Sequence, residues 1–133
     1  VSALTTQLLV VEAAGERYAI PLDQISETVR IDAEALQPVG EGLACVLRGR
    51  TVPVFDLGLL MGARQAGGTI ARMLVTQATG DSIALRVEGF AERLNAFVRP
   101  PGGLLAVIPG VAGATVMGDG NVLLVLDLPE LLA

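Results

Sequence analysis

Gly15-Glu16-Arg17-Tyr18-Ala19-Ile20 occurs a second time 65 positions later, as Gly80-Asp81-Ser82-Ile83-Ala84-Leu85. A later stretch, Gly49-Arg50-Thr51-Val52-Pro53-Val54-Phe55-Asp56-Leu57, returns 71 positions later as Gly120-Asn121-Val122-Leu123-Leu124-Val125-Leu126-Asp127-Leu128. A repeat of roughly 65–71 residues is too long for a solenoid and is about the size of a small barrel. The sequence therefore predicts an internal duplication, with two related small lobes in one chain of 133 residues.

The composition indicates a β protein with an aliphatic core. Hydrophobic residues make up 52% of the chain, but aromatic residues only 3%. Val, Leu, Ile and Ala in such excess are typical of small, tightly packed β barrels. No apolar run approaches the ~18 residues of a membrane span, so we expect no membrane insertion. The single Cys45 excludes an internal disulfide, its apolar neighbours predict a buried thiol, and we expect a cytoplasmic location.

The charged residues argue against nucleic acid and against histidine chemistry. The net charge is −5, and all nine cations are Arg residues that are scattered singly. Without a basic stripe or an aromatic stacking surface, nucleic acid is not an expected partner. The chain contains no His, which removes the commonest general base and the commonest metal ligand. We therefore expect no metal and no other cofactor.

Alternating side chains predict about ten short strands, five in each half. The clearest period of two spans residues 82–88, and a glycine turn at 79–81 precedes it. The predicted strands cover residues 8–13, 17–22, 26–31, 73–77, 82–88 and 94–99, with two more flanking Gly49 and two flanking residues 118–121. Helix is scarce, since only residues 57–61 and 129–132 predict one turn each.

The two halves meet at residues 63–68, a run of small and polar residues that predicts a flexible linker. Half one then covers about residues 7–62 and half two about residues 69–133, within a single domain of residues 1–133. Residues 122–126 are apolar at every position, which predicts a strand covered on both faces. The cover could come from the other lobe or from a partner chain.

No stretch carries the pattern of a catalytic or metal site. Residues 110–115 have glycines but lack the lysine and the following helix of a P-loop. Asp119-Gly120-Asn121 lacks the alternating acidic ligands of a calcium loop and predicts a hairpin turn. Asp56 and Asp127 are equivalent but lack the hydroxyl neighbours of aspartic proteases, so we expect each to cap the turn that follows. The residues give no support for enzymatic chemistry.

Two glutamates are equivalent in the repeat and allow two interpretations. Glu27 and Glu92 are 65 positions apart, and aliphatic residues flank each of them. A glutamate on an otherwise apolar strand can protect a sheet edge from aggregation. It can equally form the polar rim of a recognition patch. The pattern alone does not favour either interpretation.

Three groups of residues carry a resemblance to a known family. They are Gly15 with Tyr18-Ala19-Ile20-Pro21 and Ile25-Ser26-Glu27; Leu47-Arg48-Gly49 with Val52-Pro53-Val54 and Asp56-Leu57; and Gly110-Val111-Ala112-Gly113-Ala114-Thr115-Val116-Met117-Gly118-Asp119-Gly120-Asn121-Val122. Together they resemble the CheW-like domain of bacterial chemotaxis, over about residues 7–132. The last group is most similar to the CheW-like regulatory domain of the histidine kinase CheA.

This resemblance implies an all-β fold of two five-stranded SH3-like barrels that share a core. It also implies a non-catalytic domain without a cofactor, which binds the CheW-type adaptor and chemoreceptor tips and places a kinase under receptor control. The family's partner-binding positions fall on Ile25, Glu27, Arg48 and Gly49, with Val29 as a further candidate. In half two, Ala91-Glu92-Arg93 stands where the family often has Gly-Gln, so the resemblance assigns no partner contact there.

Two other functions stay open. A free-standing CheW-type adaptor would have the same fold, and an ATP-binding kinase domain upstream of the chain would distinguish the two. A small-ligand-binding or hydrolytic β barrel would need a pocket with convergent polar groups. The sequence shows few such groups.

Overall fold

The computed structural model describes residues 5–77, 80–100, 102 and 108–132, and it confirms the all-β prediction. The described residues form eleven strands and two single-turn α-helices. The strands are β1 (Thr6–Ala13), β2 (Glu16–Pro21), β3 (Glu27–Asp32), β4 (Gln37–Val39), β5 (Gly42–Leu47), β6 (Arg50–Asp56), β7 (Ile70–Thr76), β8 (Ile83–Val87), β9 (Gly89–Ala96), β10 (Val111–Val116) and β11 (Val122–Leu126). The helices α1 (Leu57–Leu60) and α2 (Leu128–Leu131) follow β6 and β11, as predicted. No helix in the described ranges is long and apolar enough to cross a membrane.

Each of the two sheets combines strands from both halves of the duplication. One sheet has the strand order β10-β11-β2-β1-β9, and the other has the order β3-β7-β8-β6-β5-β4. Hairpin β1–β2 of half one therefore completes the sheet of half two, and hairpin β7–β8 of half two completes the sheet of half one. The two lobes predicted from the repeat exist, but each contains the leading hairpin of the other half.

The exchange follows the same offsets as the sequence repeat. Strand β2 runs parallel to β11 with Ala19 opposite Val125, and β8 runs parallel to β6 with Ala84 opposite Val54. Ala84 lies 65 positions after Ala19, and Val125 lies 71 positions after Val54. The two junctions between the halves are therefore equivalent, residue by residue, at these positions.

Three apolar clusters stabilise the fold. The first contains residues of both sheets and of both helices, so it is the core that the two barrels share. Each sheet also surrounds a cluster of its own, and four of the five members of each cluster are related to a member of the other by the sequence offsets. The members are Leu8, Val10, Ala19, Leu123 and Val125 in the five-stranded sheet, and Cys45, Val52, Val54, Met73 and Ala84 in the six-stranded sheet. The predicted burial of Cys45 is confirmed.

Strand β11 is covered on both faces by the chain itself. Leu123 and Val125 pack in the cluster of the five-stranded sheet, whereas Leu124 and Leu126 contact the shared core. Only Val122 at the start of the strand is exposed, at 62%. The sequence had left open whether the same chain or a partner chain covers this strand, and the structure shows that the same chain does.

Two strands differ from the prediction, and both lie at sheet edges. Strand β9 begins at Gly89, whereas its start was predicted at residue 94. Residues at the centre of this edge strand are exposed to water, so the sequence there lacks the alternation of apolar and polar residues that predicts a strand. Strand β4 was not predicted, since its three residues are exposed and Pro38 stands at the centre. Proline is tolerated in an edge strand because no ladder hydrogen bond is required there. The predicted turn at 79–81 lies partly outside the described residues.

The segment 63–68 is packed against the six-stranded sheet rather than free. The Asp56 carboxylate accepts a hydrogen bond from the backbone N–H of Ala66 at 2.9 Å, and Ala66 is buried. The buried Arg86 donates from Nη2 to the carbonyl oxygen of Gly67 at 3.3 Å. The segment also connects α1 to β7 within one sheet, so the prediction of a flexible link between lobes was wrong. The main chain passes between the barrels at residues 22–26 and at Glu88 instead.

Candidate functional site

A tight turn between β5 and β6 presents Arg48 to solvent. Leu47 pairs with Arg50, so the turn has only two central residues, Arg48 with φ 52° and Gly49 with φ 78°. Two positive φ values match the type I′ turn that suits the twist of a hairpin. Glycine adopts this backbone freely, whereas Arg48 has a left-handed conformation that side chains disfavour. The Arg48 side chain is 78% exposed.

Arg48 forms a two-point ion pair with Glu27 on β3. The guanidinium donates from Nη1 to Oε2 of Glu27, and from Nη2 to Oε1 at 2.9 Å. The Glu27 side chain is 29% exposed, and its carboxylate raises the pKa of the Arg48 guanidinium through the hydrogen bond and then through its charge. Exposed ion pairs contribute little to stability, but the two-point geometry fixes orientation. The pair therefore holds two charged groups in place at the surface.

Glu27 lies at the end of an inward-facing stripe on an edge strand. Glu27, Val29 and Ile31 are half-buried, and the residues between them are exposed. Val29 and Ile31 pack against the cluster of the six-stranded sheet, in which β3 is an edge strand. An inward-pointing charge is one way in which proteins protect such an edge. The position of Glu27 therefore agrees with both interpretations, protection of the sheet edge and the polar rim of a recognition patch.

A small groove opens beside the ion pair, at one end of the six-stranded barrel. We call it the first groove; its volume is about 200 Å³, and its lining includes Glu27, Leu47, Arg48, Arg50, Val52 and Val75. Val52 and Val75 are buried and form an apolar floor, whereas the charged residues form the rim. An apolar centre with a polar rim is the anatomy of a protein contact.

The structure brings together three of the five predicted partner-binding residues. Glu27, Arg48 and Gly49 lie at one place, around the β5–β6 turn. Val29 follows Glu27 on the same face of β3 but packs into the barrel. Ile25 packs against the shared core, and its backbone N–H donates to Leu22 at 3.1 Å, so it belongs to a different part of the surface.

The equivalent site in half two has a different charge. Glu27 lies opposite Val75, and Glu92 lies opposite Val10, which confirms that the two glutamates are equivalent. The residue 71 positions after Arg48 is Asp119, so both charged positions are acidic there. Within the described residues Glu92 forms no ion pair. The 71-residue offset could have revealed this difference in charge from the sequence alone. Arg50, which lines the same groove as Arg48, was not among the predicted partner-binding residues.

Three acidic residues outside this site have structural roles. Asp56 accepts from the N–H of Leu59 at 3.2 Å and Asp127 from that of Glu130 at 3.4 Å, so the predicted helix caps are confirmed. Asp119 accepts from the N–H of Asn121 at 3.0 Å within a hairpin turn, also as predicted. No group of three His, Cys, Asp or Glu side chains in the described part of the chain is placed to hold a metal ion.

A broader apolar surface covers the outer face of the same barrel. A groove of about 620 Å³ lies over β5, β6 and α1. Three large side chains line it and are exposed to water, namely Val39 at 60%, Phe55 at 39% and Leu59 at 54%. An exposed apolar surface of this kind often marks a contact with another protein.

Comparison with known proteins identifies the family. The sequence profile of the CheW-like domain matches residues 7–133. The chain belongs to the CheW-like domain family. The family resemblance and the two-barrel fold expected from it are thus confirmed.

The CheW-like domain is similar to part of several larger proteins. It is 28% identical over 129 residues to the chemotaxis protein CheA of Rhizobium meliloti, covering 94% of this chain and 17% of that protein. It is 30% identical over 126 residues to CheA of Cereibacter sphaeroides, covering 92% of this chain and 18% of that protein. It is 26% identical to a gliding motility regulatory protein of Myxococcus xanthus, over 96% of this chain and 17% of that protein. The chain therefore spans about one sixth of the length of these relatives.

The fold of this CheW-like domain is also that of a solved structure. The scaffolding protein TtCheW from Thermoanaerobacter tengcongensis superposes with a TM-score of 0.81. The match covers 99% of this chain and 90% of that chain, at 20% sequence identity. At this identity the comparison supports the fold alone, and the family match shows that the chain is a CheW-like domain.

Proposed function

We propose that this domain is the regulatory scaffold of a chemotaxis-type histidine kinase, where it binds a CheW-type adaptor and chemoreceptor tips in the cytoplasm. The observation that carries the proposal is the alignment of 94% of the chain with a domain-sized part of a CheA protein. The domain itself is non-catalytic in this proposal. Its task is to place the kinase under the control of receptors.

The exposed features of the first barrel, which the six-stranded sheet forms, support this role. The Glu27–Arg48 pair holds two charges at the rim of a groove with an apolar floor. The apolar surface with Val39, Phe55 and Leu59 lies on the same barrel. Ile25, Glu27, Val29, Arg48 and Gly49 remain the proposed partner-binding residues. A standard protein interface buries roughly 800 Å² per partner, and we propose that the contact includes both surfaces.

The first test is a calorimetric titration of the domain with the CheW-type adaptor from the same genome. We expect a saturable isotherm at micromolar affinity or tighter, with the negative heat-capacity change of apolar burial. The adaptor with its own fold disrupted serves as the control. An absence of heat with both the adaptor and a receptor-tip fragment would contradict the proposal.

A second candidate is a free-standing CheW-type adaptor, and the match to 90% of the TtCheW chain favours it. An antibody against this domain distinguishes the two candidates in an immunoblot of the native cells. The kinase predicts a polypeptide roughly six times the size of the 13.7 kDa chain, from the 17% coverage of the CheA relative. The adaptor predicts a band near the size of this chain.

A further inference from the structure

The rim of the first groove carries an unbalanced positive charge. Arg48 and Arg50 line it together with a single carboxylate, that of Glu27. Both oxygens of Glu27 are already engaged by Arg48. Arg50 is exposed and forms no ion pair with any residue that the structure describes. One guanidinium group at the rim is therefore available to a partner.

The floor of the first groove is apolar and small. Val52 and Val75 are each only 4% exposed, and Leu47 is half-buried beside them. The volume of about 200 Å³ is below that of the usual small-molecule pocket. It suits the insertion of a single aliphatic side chain from another protein.

We propose that the first groove accepts an acidic peptide segment of a protein partner. One aliphatic side chain of that segment lies over Val52 and Val75, and a neighbouring carboxylate binds Arg50. The planar guanidinium of arginine matches a carboxylate at two points, which makes this charge complementarity specific. The inference rests on the proposed function and specifies the chemistry of the partner segment.

The second barrel, which the five-stranded sheet forms, provides an internal comparison. A second groove, of about 380 Å³, contains Val10, Leu123, Asp119 and Asn121 at positions equivalent to Val75, Val52, Arg48 and Arg50. The apolar floor is thus retained, but neither rim arginine is present. The arginine that does line the second groove, Arg17, is paired with Glu12 at 3.7 Å. Asp119 would repel a carboxylate. Each chain is therefore expected to bind one such acidic segment, at the first barrel only.

The test variant is Arg50→Asn, because asparagine is the residue at the equivalent position of the second barrel, Asn121. The matched control is Arg30→Asn, which removes the same charge from the exposed outer face of β3, outside the first groove. The probes are the CheW-type adaptor and a receptor-tip fragment from the same genome, each titrated by calorimetry at low and high salt. For the probe that occupies the groove, loss of the charge-assisted bond raises Kd about tenfold in Arg50→Asn. Arg30→Asn leaves Kd within about twofold.

The salt dependence gives a second readout. Arg50→Asn is expected to bind with a shallower dependence on salt than wild type, because one ion pair of the contact is missing. Equal Kd values for the two variants, with wild type binding normally, overturn the acidic-segment proposal and leave the proposed function intact. Binding of neither probe by wild type overturns the proposed function, and the acidic-segment proposal with it. Melting curves verify that both variants are folded.

Discussion

Arg48 donates hydrogen bonds to both carboxylate oxygens of Glu27, from a hairpin turn to the edge strand on the other side of the barrel mouth. In half two the equivalent residues are Asp119 and Glu92, which carry charges of the same sign and cannot form this pair. The duplication therefore produced two barrels of one fold with different surface chemistry. Any partner that recognises the charge pair distinguishes the first barrel from the second.

Replacement of Arg48 by alanine should weaken partner binding without unfolding the domain. The side chain is 78% exposed, so we expect the melting temperature to stay nearly unchanged. Loss of a charged group from the contact should raise the Kd for the adaptor or the receptor tip about tenfold. Arg48→Gly is the control, because it removes the same side chain and also relieves the positive φ of 52°. Unchanged binding would show that Arg48 does not contribute to the contact. An unfolded Arg48→Ala protein would show that Arg48 has a structural role.

Gly58 is required by the close approach of the segment that follows α1. A Cβ atom at Gly58 would lie 2.0 Å from the carbonyl oxygen of Arg64, and the backbone would have to move. We expect Gly58→Ala to lower the free energy of unfolding by at least about 2 kcal/mol in urea denaturation. Gly67→Ala is the control, since no atom lies within 4 Å of its added Cβ, and it should change stability by less than about 0.5 kcal/mol. Equal effects of the two substitutions would contradict this packing.

The equivalent residues Asp56 and Asp127 should differ in their contribution to stability. Each caps the helix that follows it, but Asp56 is buried and also accepts from the N–H of Ala66. Asp56→Ala leaves two backbone donors without a partner and should cost about 2–3 kcal/mol of unfolding free energy. Asp127→Ala removes only a cap and should cost about 1 kcal/mol. Urea denaturation of the two variants measures the difference, and equal losses would show that the bond to Ala66 contributes nothing.

The sequence repeat predicted the equivalent positions but could not predict which hairpin joins which sheet. Ala19 pairs with Val125, and Ala84 pairs with Val54. These two pairs are equivalent, because the 65-residue offset relates the two alanines and the 71-residue offset relates the two valines. Returning each hairpin to its own half would leave the alternation of buried and exposed side chains in every strand unchanged. The hydrophobic pattern therefore contains no information about the exchange. The short crossings at residues 22–26 and at Glu88 decide it, because they connect the two sheets.

The candidate site was less accessible to sequence reasoning than the fold. Glu27 and Arg48 are 21 positions apart on different elements, and only the family resemblance placed both in one site. The resemblance also pointed to Ile25, which is half-buried against the shared core, at a different part of the surface from Glu27 and Arg48. By contrast, the change from Arg48 to Asp119 follows directly from the 71-residue offset. Packed turns and edge strands, with few apolar residues, give weak sequence signals.

The turn between β1 and β2 offers a stabilising substitution. Ala14 and Gly15 are its two central residues, with φ of 52° and 79°, and alanine disfavours this backbone. Ala14→Gly should raise the free energy of unfolding by about 0.5–1 kcal/mol, since glycine adopts positive φ without strain. The N–H of residue 14 still donates to Glu88 in the variant. Ala13→Gly, in the buried end of β1, is the control and should destabilise; a loss of stability in both variants would contradict the turn geometry.

The buried thiol of Cys45 should make the domain less stable at high pH. Burial raises the pKa of this thiol, so the neutral form is favoured in the folded protein. The stabilisation that results is complete below the ordinary thiol pKa and is lost as the pH rises through the folded-state pKa. The free energy of unfolding should therefore fall above about pH 8.5. Burial and then Glu16 raise the pKa of Tyr18, which adds a fall of the same sign above about pH 10. Urea denaturation between these pH values should show the first fall in wild type and not in Cys45→Ala; parallel profiles would show that the thiol does not titrate in this way.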